Sequence, residues 1–208
     1  MVGSSDTSKS GQAVVVEATG AAVLLLTTIL LVQQFVLLTP LANNTASTQV
    51  EVQQQERAEG LLATSKYQGE LKQAVLTWDA STREFDGSSA STEYYILQPP
   101  ENSFGDNIRQ YFLDTGVGVQ IDITYLDSSG ERQEIPYLRI GTPTGSSYTT
   151  TETVSLYDSD PLYNEDGTET GETLGSVESD GTKTYFAPDV NSGPLYNVIG
   201  VKFTIWKL

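Results

Sequence analysis

The chain has 208 residues with no histidine and no cysteine, and its 27 acidic residues against 11 basic ones set a net charge of −16. Those absences exclude serine-histidine-aspartate triads, histidine zinc sites, thiol catalysis and disulfide frameworks together. With no cluster of Lys or Arg to neutralise phosphates, nucleic acid is excluded as a partner, and the scattered acids describe a strongly hydrated surface.

The N-terminal stretch is the most distinctive. Gly11-Gln12 leads through three valines to Glu17, and from Ala18 to Val50 there is no Asp, Glu, Lys or Arg. At about 1.5 Å per helical residue, the apolar core of this run is long enough to cross a hydrocarbon layer of about 30 Å. The pattern predicts a cytoplasmic leader-like segment over 1–11 and a transmembrane helix over 12–39. Lys9, the one basic residue before the run, orients the bulk of the chain outward, at the cell surface. A removed secretory signal would be shorter and would end in a small-residue cleavage site. A plain anchor leaves Glu17 unexplained, because a charge carried toward the bilayer centre costs roughly 2.5 kcal/mol or more and calls for a partner. Ala18, Gly20, Ala21 and Ala22 are small enough to let helices approach closely. Thr39-Pro40 disfavours regular helix, and Asn43-Asn44-Thr45 is a glycosylation sequon at Asn43.

Residues 40–78 read as an extracellular helical stalk rich in Gln, Glu, Lys, Leu and Ala. Tyr67, Leu71, Val75 and Trp78 recur at helical spacing as one apolar stripe, while Gly60 and Gly69 interrupt it. Residues 79–208 read as an extracellular β-rich domain. Ser103 to Thr115 is a short helix with Ser103 as its cap and Ile108, Tyr111 and Phe112 facing inward. Val117, Val119, Ile121, Ile123 and Tyr125 then alternate with polar or small residues, as in a strand buried on one face. Asp127 to Gly130 is turn chemistry, and Glu134 to Ile140 returns as its partner strand, with Pro136 marking an edge or bulge. Tyr148 to Tyr157 is Thr-rich and β-prone, and Ile199, Val201, Phe203 and Ile205 alternate in a terminal strand. The expected fold class is α+β: a long N-terminal transmembrane helix continues into an amphipathic helix, packed on a mostly antiparallel sheet.

Residues 158–180 hold eight acids and no basic residue. They read first as a solvated acidic loop. The alternative is an oxygen-ligand calcium site at Asp158, Asp160 and Asp166, without the spacing or terminal glutamate of an EF-hand. That Ca2+ is the one cofactor with any candidate ligands. Carboxylate pairs of the kind glycoside hydrolysis uses are unavoidable in so acidic a chain. No catalytic constellation emerges, so the expected function is non-enzymatic.

Taken together, GQAVVVEATGAAVLLL, GLLATSKYQGELKQAVLTW, TETVSLYDSDPL, YFAPD and PLYNVIGVKFTIWKL resemble an uncharacterised family of haloarchaeal, pilin-like membrane proteins, from Gly11 to the C-terminus. More broadly, the N-terminus is similar to type IV pilins and pseudopilins. That resemblance implies cleavage after Gly11 by a prepilin-peptidase-like enzyme, a new N-terminus at Gln12, and Glu17 as the acid that pairs with a neighbouring subunit's terminal amine. It implies the lipid bilayer and homologous subunits as partners, and a surface filament or secretion-like complex as the destination. Ser10, not Lys or Arg, directly precedes Gly11, and Glu17 falls sixth after the cut where the common pilin acid falls fifth. The rival expectation is a permanently anchored surface protein that binds a ligand or cation.

Overall fold

The computed structural model describes residues 20–26, 52–89, 91–143 and 145–208. The chain divides between Val52 and Gln53, and a helix over 20–26 is what is described of the first unit. The long apolar helix expected over 12–39 is not found among the described residues, which include only 20–26 of that span; the leader-like segment expected over 1–11 lies outside them. Among the described residues no helix is long and apolar enough to cross a membrane. The longest, α1 over 52–68, carries Glu56, Arg57, Glu59 and Lys66, and the others span six to nine residues. What stands of the expected class is an α+β domain with a mixed, mostly antiparallel sheet.

Gly69 decides where α1 stops. Its φ of +81° lies in the left-handed region, so the chain turns there before α2 (Glu70–Val75) begins. The turn breaks the expected stripe. Leu71, Val75 and Trp78 are buried, whereas Tyr67 is 93% exposed. The buried face of α1 is instead Ala58, Leu61, Leu62 and Ser65, a spacing of three, one and three that is the ordinary core-facing pattern of a helix.

A hairpin of β1 (Trp78–Asp79) and β2 (Glu84–Phe85) follows, then β3 (Tyr95–Ile96) and α3 (Ser103–Tyr111). The cap of α3 is Asn102 rather than Ser103: its side-chain oxygen accepts from Gly105 N at 3.0 Å. Tyr111 is half exposed, because the helix ends there and Phe112 alone turns inward, 5.3 Å from Phe203 between ring centroids.

Five strands make the main sheet, the short β3 and four long ones: β4 (Val117–Leu126), β5 (Arg132–Ile140), β6 (Ser147–Tyr157) and β9 (Leu195–Lys207). Their order is β3-β5-β4-β9-β6, antiparallel throughout except where β3 runs parallel to β5. Val119, Ile121 and Ile123 face the same side as Ile199, Val201, Phe203 and Ile205, and all are essentially inaccessible. They form one core with the buried residues of α1, α2 and α3, so residues 53–76 and the sheet bury apolar surface together. Fully burying each such side chain contributes about 1.5–3 kcal/mol. The bulge that Pro136 marks is present: Ile121 pairs with Leu138 and Asp122 with Pro136, leaving Tyr137 as the extra residue. Tyr137 and Leu138 are consequently both buried.

On the outer face of the sheet, the indole of Trp206 fills the space above Gly118, where a Cβ would lie 2.4 Å from its ring atoms. Beside it, buried Asp122 pairs with the Arg139 guanidinium, which also donates to Ile121 O at 2.9 Å.

The stretch expected as a solvated acidic loop is folded. It contains β7 (Pro161–Tyr163), β8 (Glu169–Thr173) and α4 (Leu174–Asp180). Buried Leu162, Leu174 and Val177 tie it to the core, and a reciprocal cap between Thr173 and Ser176 starts α4. Of its acids, Asp166, Glu169, Glu178 and Asp180 are exposed, while Asp158, Asp160, Glu165 and Glu172 are partly buried.

Candidate functional site

Gly11, Gln12, Glu17 and Asn43 lie outside the described residues. In the helix over 20–26, Leu25 and Leu26 are 64% and 62% exposed, so this short described piece of the apolar run presents leucine outward.

The three acids read as calcium ligands are engaged separately. Asp160 pairs with Lys72 at 2.6 Å and accepts from Tyr157 N at 2.7 Å, which fixes the turn out of β6. Asp166 accepts from Thr168 N at 2.9 Å and from its hydroxyl, closing the turn between β7 and β8. Those bonds hold its carboxyl below the usual range. Asp158 meets α4 through its backbone, whose carbonyl accepts from Gly175 N at 2.9 Å. Among the described residues no group of three or more acids is arranged to hold a metal ion.

A different set of acids is brought together by the fold. Asp86 follows β2, Glu101 precedes α3, and Glu165 sits in the β7–β8 turn. Asp86 Oδ2 accepts from Glu165 N at 2.7 Å, joining the two loops. The Glu165 carboxylate then lies directly on Gly87, where a Cβ would be 1.9 Å from Oε2. Gly87 also has φ +75°, so both space and backbone require glycine there.

Glu101 and Glu165 line a recess of 320 Å³, with Tyr95, Ser88 and the exposed Leu97 among its other walls. Burial, and then the negative charges of Glu101 and Asp86, push the Glu165 carboxyl above its usual range. None of the three acids forms an ion pair among the described residues. Next to Glu101 in the chain, the Asn102 side chain is buried against the Tyr137 hydroxyl.

Positive φ at non-glycine residues occurs three times in the chain between β1 and α3, once on the wall of the recess at Leu97. Arg83, Glu93 and Leu97 have φ of 66°, 65° and 67°, each costing on the order of 1 kcal/mol. Chemically the recess is an acceptor of hydrogen bonds and positive charge, bordered by carboxylates and an apolar lip.

Sequence reasoning missed this grouping, since the three acids are drawn from loops far apart in the chain. The local signal was the Asp86-Gly87 pair, a turn dipeptide that marks a backbone needing positive φ.

The chain belongs to a family of unknown function, DUF7288, whose model matches residues 10–205. No curated protein and no solved structure matches it.

Proposed function

We propose that the chain is a non-enzymatic, pilin-like or pseudopilin-like subunit. It is held in the cell membrane by its apolar segment and then enters a surface filament or secretion-like assembly. The observation that carries this reading is the run from Ala18 to Val50, free of charge and placed directly after Glu17. Attached to it is a folded domain in a strongly acidic chain, whose charge favours a hydrated surface. A carboxylate at the head of an apolar run, as Glu17 is in the sequence, calls for a positive partner in a medium of low polarity. The terminal amine of a neighbouring subunit, freed by cleavage after Gly11, is that partner. The acidic domain faces outward.

Intact-mass analysis of the protein from native membranes and from sheared surface material tests the central step. A mature N-terminus at Gln12, lost in a Gly11→Val variant, is the expected result. An intact start at Met1 or Val2 overturns it in favour of a permanently anchored binder, a reading supported by the unpaired acids around Glu165.

A further inference from the structure

The two outer strands of the main sheet differ in how they meet solvent. β6 is an edge strand. Among the described residues, the backbone N–H and C=O groups of 147–156 bond only to β9, which leaves the opposite edge open. A row of unpaired backbone groups is a template for another extended chain. Native proteins usually blunt it with lysine, proline, a bulge or a covering loop. β6 contains no Lys, Arg or Pro, and its register shift lies at its far end, between Leu156 and Tyr157.

Local charge identifies the occupant. On a chain of net charge −16, two copies repel one another over most of their surface. Along β6 the sole charge is Glu152, and it is neutralised by Lys66 at 2.7 Å. Lys66 and Glu59, whose carboxylate meets the Tyr148 hydroxyl, belong to α1 and approach the inward-facing side chains. Thr149, Thr151 and Thr153 remain exposed on the outer face. β6 itself thus carries no unpaired charge, the Glu59 carboxylate at Tyr148 belonging to α1 on the inner side, and its β-favouring Thr, Val and Tyr residues offer a second copy of this chain an approach of low repulsion. A strand paired antiparallel with its own copy satisfies two-fold symmetry, each residue of one copy meeting its equivalent set on the other.

We propose that β6 is the self-association edge of this protein, pairing antiparallel with β6 of a second copy so that one sheet runs through both. This deepens the assembly reading above by naming the joining strand. It can fail independently of that reading, since strand pairing and cleavage after Gly11 are measured separately.

The absence of cysteine from the chain gives a clean test. Full-length Thr149→Cys, Thr151→Cys and Thr153→Cys variants are oxidised in detergent micelles, with Ser129→Cys in the β4–β5 turn as control. Facing residues of paired antiparallel strands bring their Cβ atoms close enough for a disulfide. At least one β6 variant should become predominantly a disulfide-linked dimer while the control stays monomeric. Adding a lysine at a neighbouring outer-face threonine (Thr151→Lys with Thr149→Cys or Thr153→Cys, Thr153→Lys with Thr151→Cys), which places like charges across the joint and leaves the Glu152–Lys66 pair intact, should return that variant to the control level. Cross-linking at Ser129 equal to that on β6, no cross-linking on β6, or cross-linking indifferent to the added lysine would each overturn the proposal. A dimer held only through the apolar segment gives the second of these results.

Discussion

The two long strands toward the margins of the main sheet, β5 and β6, solve the same problem in opposite ways. β5 carries Arg132, Glu134 and Pro136, bulges at Tyr137 and is capped by β3 at Leu138 and Arg139. Its Arg139 also reaches across to the buried Asp122. Charge, proline, bulge and cover are four devices that stop a strand from recruiting another. β6 is as long, and among the described residues it has neither proline, bulge nor cover along 147–156, its one charge, Glu152, being paired with Lys66. Closure at one margin directs pairing to the other, and it also places the acidic recess, since β3 supplies both the cap on β5 and the Tyr95 wall beside Glu165.

The comparison can be broken most severely at the closed margin. Arg139→Met leaves the Asp122 carboxylate, 2% exposed, without its partner. It should cost about 3 kcal/mol in urea unfolding, with Asp122→Asn restoring much of the loss in the double variant. A double variant no more stable than the single would show that Arg139 acts by packing alone.

Next in size is the anchor from which β6 starts. Trp206 pairs with Gly118 on one side and Ser147 on the other. Gly118→Ala drives a methyl group into its indole and should cost about 2 kcal/mol. Trp206→Leu should relieve part of that clash in the double variant, as judged by thermal unfolding.

At the open margin the expectation reverses. Thr153→Lys touches no buried group and should move stability by no more than about 0.5 kcal/mol. Sedimentation velocity should nevertheless show fewer dimers. A large loss of stability would mean that the edge of β6 is covered within the monomer.

The smallest effect is expected at the recess. Because the Glu165 carboxyl is raised in the folded protein, the folded state holds its proton more tightly than the unfolded chain. Its contribution to stability is present below the ordinary value of 4.5 and is lost as pH rises through the raised value. Glu165→Gln should therefore be slightly more stable than the parent at neutral pH and should flatten this part of the stability curve. Equal pH dependence in the two proteins would show that Glu165 is well solvated.

The inward faces of β4 and β9 were legible because one-sided burial imposes a period of two on the residues themselves. Val119, Ile121 and Ile123, like Ile199 through Ile205, record it directly. The bulge beside Pro136 was legible for a similar local reason, since proline cannot donate to a ladder. Around Gly69 the same logic misled: Tyr67 keeps helical spacing with Leu71 only if the helix continues, and the positive φ at Gly69 rotates the two apart. The folded state of 161–180 was hidden by its acidity. Leu162, Leu174 and Val177 are sparse in that segment, and their burial depends on a core built elsewhere.

By itself the sequence determined the local and additive properties: a charge-free apolar run behind Glu17, a strongly acidic surface, no histidine or cysteine chemistry, and strands with one apolar face. These follow from composition and from the geometry of a single pleat or turn. Only the tertiary structure decided that β6 ends the sheet while β5 is closed, that Trp206 lies over Gly118, and that Glu101 and Glu165 share one recess with Asp86 holding the Glu165 loop. Each of these depends on contacts between distant segments. Strand order and loop juxtaposition are set by how the whole core packs, which no local period records.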